Sequence, residues 1–112
     1  VARSSAAERR SPARAAPQSR DAGARLREEI ALIDRAHRQF AEDDAAAALA
    51  TLATHAQRFP AGLFVDIREA VHIDVLCRRG DASGADALAR RLRVDHPESA
   101  VAQRFADYRC LR

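Results

Sequence analysis

The chain has 112 residues, 47% of them apolar, 4% aromatic and 31% charged, with a formal charge of +3, which suits one small domain or a domain with a tail. All 19 basic residues are Arg and 27 residues are Ala. No stretch approaches the roughly 18–20 apolar residues of a membrane span, and no charged start followed by an apolar run marks a signal peptide.

A chain that begins at Val1 and holds no Met is expected to be a fragment or processed product, with any membrane anchor lying upstream. Residues 1–24 carry five Arg against Glu8 and Asp21, and the remaining 88 residues carry 14 Arg against 14 acids. The whole formal excess therefore sits in the tail. That tail is Ala, Arg, Ser, Pro and Gln with a single Val at its start, and nothing in it offsets the entropy of ordering, so a disordered linker is expected over residues 1–24.

From residue 25 a helical domain is expected to run to residue 112. Leu26, Ile30, Ile33, His37 and Phe40 recur at steps of 4, 3, 4 and 3, one stripe of a first helix, with Glu28 and Glu29 in early turns that favour negative charge. Glu42-Asp43-Asp44 breaks it and supplies a cap. A second helix, Ala45 to about Arg58, turns Ala48, Leu49, Leu52, Ala53 and Ala56 inward, and Phe59-Pro60 ends it because the residue before a proline is pushed out of helical geometry. A third, about Leu63 to Arg79, is apolar on more than one side and should be central. Gly80-Asp81 stops it and caps a fourth, Ala82 to about Val94, which stops before His96-Pro97. A last helix from Glu98 or Ser99 presents Val101, Ala102, Phe105 and Tyr108. No strand-length segment alternates with period two, so the fold class is all-α, about five helices. The 23 Val, Ile, Leu, Phe and Tyr between Arg25 and Arg112, at roughly 1.5–3 kcal/mol per fully buried side chain, support a compact unit of this size.

Superimposing the helix-ending Pro60 and Pro97 gives a period of 37 residues that also aligns Asp44 with Asp81, Ala45 with Ala82 and Ala48 with Ala85. A supersecondary unit copied at fixed spacing is the mark of a repeat architecture. Gly80, Ala85 and Pro97 stand where the tetratricopeptide repeat has its Gly, first Ala and Pro, and Asp43, Ala48 and Pro60 occupy the same places in the first copy, Asp43 departing from Gly. The chain thus resembles the tetratricopeptide (TPR) family over Leu26 to Leu111. The longer period, with Ser99 two residues after Pro97, is similar to repeats of bacterial envelope proteins such as the periplasmic partner of the Tol-Pal system and the outer-membrane assembly lipoprotein, and to C-terminal domains of membrane-anchored regulators. The resemblance implies a right-handed superhelix of antiparallel helix pairs, two repeats plus a C-terminal capping helix, with Ala48, Pro60, Gly80, Ala85 and Pro97 as the structural residues that define it.

Cys77 and Cys110 are the only thiols, each late in its helix and at equivalent ends of what would be neighbouring first helices of successive repeats. A bridge between them would close a loop worth roughly 3–4 kcal/mol; two reduced core thiols are the alternative in a reducing compartment. His37, His55, His72 and His96 fall on different helices without metal-ligand spacing, and neither a Ser-His-Asp constellation nor a phosphate loop is visible. No cofactor, metal, catalysis or small-molecule substrate is expected.

The inner surface formed by the first helix of each pair is the usual place for a partner segment, and on it His37, Phe40, Asp74, Arg78 and Arg104 are the candidates. The expected function is a non-catalytic protein-docking or scaffold module of a bacterial envelope protein, periplasmic or otherwise extracytoplasmic, that takes a protein segment or a second copy of itself. A helix-turn-helix-like nucleic-acid binder is the alternative function, with Gly84 to Val94, which carries Arg90, Arg91 and Arg93, or Glu98 to Arg109 as the recognition helix, and the cytoplasm is the alternative location. The neutral folded part disfavours it, since little counterion release would follow. Arg in place of Lys with abundant Ala is also what a GC-rich genome produces without any selection for binding.

Overall fold

The structure, a computed structural model, describes the backbone of residues 2–110 and the side chains of residues 20–110. Five α-helices follow one another, α1 (Ala2–Ala41), α2 (Ala45–Arg58), α3 (Val65–Arg78), α4 (Ala82–Asp95) and α5 (Ala100–Gln103), and no strand occurs among the described residues. The fold is all-α. Helix α1 packs chiefly on α2 and α3 chiefly on α4, so successive helices form two pairs.

The 37-residue period is written into the hydrogen bonds of the turns. Asp44 N–H bonds to Gln39 O at 2.8 Å and Asp43 N–H to Phe40 O at 3.0 Å; thirty-seven residues later, Asp81 N–H bonds to Leu76 O at 2.9 Å and Gly80 N–H to Cys77 O at 3.0 Å. Both turns have the 6→1 and 5→2 pattern of a Schellman ending, which needs a residue of positive φ. Gly80 (φ 87°) and Asp43 (φ 62°) supply it, so aspartate, one of the few non-glycine residues that visit this region, fills the glycine's role in the first copy. Asp44 then caps α2 by accepting from Ala47 N–H at 3.1 Å, and Asp81 caps α4 by accepting from Gly84 N–H at 3.0 Å. The C-caps Phe59 and His96 have matching backbone angles, each followed by a proline. Replacing Asp44 or Asp81 by Ala is expected to cost about 1 kcal/mol in either case, measured by urea unfolding; a large difference between the two would break the equivalence of the turns.

Packing follows from where the small residues lie. Ala36, Ala48, Ala85, Ala89 and Ala102 are buried, letting helix backbones approach closely. Helix α3 divides its apolar residues between two clusters: Val71 and Val75, with Ile67 beside them, join Ala36, Ala48 and Leu52, whereas Ala70 and Ile73 join Ala85, Ala89, Leu92, Ala102 and Phe105. It is the central helix, as its sequence implies. The disulfide Cys77–Cys110, with Cα atoms 5.4 Å apart, ties the end of α3 to the chain beyond α5.

Several expectations are corrected. The buried stripe of α1 is Glu29, Ile33 and Ala36, while Leu26, Ile30 and His37 stay exposed, a rotation of about one residue. On α2, Ala53 is exposed and Thr51 and His55 are buried instead, because each polar side chain has a partner on α1: Thr51 Oγ1 donates to Gln39 Oε1 at 2.6 Å, and His55 meets Glu29. Leu63 lies outside α3 and is exposed. The last helix is a single turn, capped by Ser99 Oγ accepting from Ala102 N–H, and turns replace it from Arg104. The linker expected over residues 1–24 falls largely outside the described residues, since the side chains of residues 1–19 are not described; α1 begins at Ala2.

Candidate functional site

Helices α1 and α3 and the chain end after α5 present one face on which the expected partner-contacting residues meet. Asp74 is half-buried there. Burial pushes its carboxyl above the ordinary carboxylate range, and the nearby charges of Arg104, His37 and Arg78 pull it back. Groups from three segments thus act on one acid. Arg78 lies 4.0 Å from the centre of the Phe40 ring, donates through Nη1 to Phe40 O at 3.2 Å and approaches Asp43 Oδ1 at 3.8 Å. A guanidinium over a ring face gains cation–π attraction, and it fixes both side chains. All five expected residues, His37, Phe40, Asp74, Arg78 and Arg104, therefore belong to one patch.

His37 also lines an apolar hollow of about 320 Å³ with Ile30, Ile33, Asp34, Phe64 and Ile67. Ile30 is 39% exposed and Leu26, one turn earlier, 37%. The rotation of α1 causes this: with Glu29 turned inward, two large apolar residues of the predicted stripe are left on the outer surface. The face is apolar at one end and charged at the other, with His37 between.

On α3, His72 sits two residues from Asp74, about 200° around the helix at 3.6 residues per turn. It opens onto a separate hollow of about 550 Å³ between α2, α3 and α4, floored by Leu49, Leu88 and Leu92 and bordered by Glu69 and Arg91. Burial lowers the His72 pKa, offset in part by Glu69. Among the described residues no group of three His, Cys, Asp or Glu is placed to hold a metal ion, and no helix is long and apolar enough to cross a membrane.

A buried polar network under the apolar end escapes sequence reasoning. The Glu29 carboxylate accepts from Leu63 N–H at 3.1 Å and Phe64 N–H at 2.9 Å, and it lies 3.0 Å from His55 Nε2. Arg68 Nη1 stands 3.2 Å from His55 Nδ1 and donates to Phe59 O. Arginine can only donate, so Nδ1 is the acceptor and Nε2 carries the proton toward Glu29. Burial lowers the His55 pKa, the hydrogen bond to Glu29 raises it and the charge of Arg68 lowers it again; the ring is held neutral. A Cβ built at Gly62 would collide with the Glu29 carboxylate, so the α2–α3 loop needs glycine there to close over the acid. Glu29 at i−4 from the buried Ile33, and Gly62 two residues after Pro60, are the only local traces of this network, and neither names its partners.

No protein-family model, curated protein or solved structure matches the chain.

Proposed function

We propose that this chain is a non-catalytic, TPR-like protein-docking module of a bacterial envelope protein, and that its α1/α3 face receives a protein segment or a second copy. One observation carries the proposal: the hollow beside exposed Leu26 and Ile30 adjoins a charged patch in which Phe40 and Arg78 fix one another across two helices and Asp74 lies within reach of the Arg78 charge. Apolar area with a fixed polar border is what a docking surface requires. The 37-residue repetition of turns and caps supports the helical-repeat reading, because stacked helix pairs bend into surfaces of this kind. The disulfide favours an oxidising compartment such as the periplasm.

The nucleic-acid alternative loses ground on geometry. Arg91 borders the hollow between α2 and α4, whereas Arg90 and Arg93 line a different one beside the C-terminal segment. A recognition helix needs its cations on one groove-facing side.

A photo-crosslinking residue placed at Ile30 should yield defined adducts, in envelope extracts or between copies of the purified chain. Arg78→Glu should abolish them while circular dichroism stays unchanged. Adducts of equal yield from the exposed position Ala46 on α2 would defeat the proposal.

A further inference from the structure

A second site lies where α4 meets the C-terminal segment. Arg90 and Arg93 stand three apart on α4, a spacing that puts them on one side of the helix. They line a hollow of about 410 Å³ together with Asp86, Asp107, Tyr108 and Arg109. The segment carrying Tyr108 and Arg109 is fastened at several points. Cys110 is bridged to Cys77, Cys110 N–H donates to Asp86 Oδ1 at 2.9 Å, and Arg93 Nη1 donates to Ala106 O at 2.6 Å. Tyr108 stacks edge-on against the buried Phe105 at 5.0 Å.

The charges in this hollow are not spent on one another. Among the described residues, none of Arg90, Arg93 and Arg109 forms an ion pair, although two aspartates share the hollow; Asp86 is occupied by the Cys110 amide. Arg93 Nε is buried and is the one buried side-chain polar atom without a hydrogen-bond partner among the described residues. A guanidinium donor left unmade is costly; the Arg93 side chain lines the hollow, and an ionised oxygen acceptor entering it would meet charge-assisted donors from three arginines.

We infer that the hollow between α4 and residues 106–110 is a binding site for a small oxyanion of the phosphate or carboxylate type, held by Arg90, Arg93 and Arg109. Guanidinium forks match the paired oxygens of both anions, and the fastened segment places Arg109 opposite α4 before any ligand arrives. The site is separate from the α1/α3 face, so it stands or falls independently of the docking proposal.

The test is a titration of the isotopically labelled full chain, followed by NMR, with inorganic phosphate, acetate or chloride at matched ionic strength. Saturable shifts of the Arg93 Nε–H and of the amides from Ala106 to Cys110, with phosphate or acetate and not with chloride, are expected. The tighter of the two anions identifies the class. Arg90→Ala and Arg109→Ala remove exposed side chains that carry no core contact, and each should weaken binding by about tenfold. An equal response to chloride, no saturation, or affinity unchanged in both variants would overturn the inference.

Discussion

Removing the Cys77–Cys110 bridge, by reduction or by the paired substitution Cys77→Ser and Cys110→Ser, is expected to lower the unfolding free energy by about 3–4 kcal/mol. The two cysteines are 33 residues apart, and the constraint acts mainly by restricting the unfolded chain. The loss is large for a domain that buries so much alanine and so few large side chains. It should also be uneven. Beyond α4 the chain has one helical turn, α5, and the turns after it, anchored by Ala102, Phe105 and Cys110 in the second core cluster. Helices α2 and α3 share the first cluster with α1 and do not depend on the bridge. Hydrogen exchange after reduction should accelerate first in residues 100–110, with α2 and α3 still protected, and the urea midpoint should fall with a rise in slope, because the unbridged unfolded chain is more expanded. An unchanged midpoint would mean that the packing of Phe105 and Ala102 alone holds the segment.

What the sequence reveals of this fold is what local chemistry decides. The two turns are legible because each depends on two adjacent residues, a stop with positive φ and a capping aspartate, and that chemistry recurs at Asp43-Asp44 and Gly80-Asp81. The boundaries of α2 are read correctly and that of α4 to within a residue for the same reason. That His37, Phe40, Asp74 and Arg78 lie near one another follows from their places on α1 and α3, the first helices of the two pairs. The rotation of α1 is not legible. It depends on Glu29 being satisfied by an imidazole from α2 and two amides from the α2–α3 loop, and without those partners a carboxylate would never displace Leu26 or Ile30 from the core. Periodicity ranks residues by hydrophobicity and therefore ranks this one on the wrong side. The shortness of α5 is hidden likewise, because the turns after Arg104 follow from tertiary fastening to Asp86 and Arg93, which lie on α4.

Replacing Glu29 by Gln is expected to destabilise the protein by about 2–3 kcal/mol, the scale of a lost charge-assisted hydrogen bond together with a donor left unpaired. Both carboxylate oxygens accept in the native network, and an amide would turn an NH2 toward either Leu63 N–H or the donors of Phe64 and His55. The imidazole cannot relieve the conflict by shifting its proton to Nδ1, since Arg68 already donates there.

The same neutral imidazole sets a pH dependence. Burial is the largest cause holding His55 below its ordinary value of 6.5, with Glu29, Arg68 and Glu69 the charged groups around it. As pH falls through 6.5 the unfolded chain gains a proton that the folded chain does not, so stability declines toward the lowered native value, by up to about 1.4 kcal/mol per pH unit for one such group. His72 shifts in the same direction, but its side chain is 38% exposed, and solvent screening reduces its share. Asp74 acts in the opposite sense, in a window that opens at its ordinary 3.8. Urea unfolding between about pH 7.5 and about pH 5.5 should therefore show a decline in the native protein that His55→Gln, which keeps a donor toward Glu29 and does not titrate, removes in greater part. Equal slopes in the two proteins would show that the buried imidazole is not the group excluded from protonation, and that the seam joining α1 to the α2–α3 loop accommodates a charged His55.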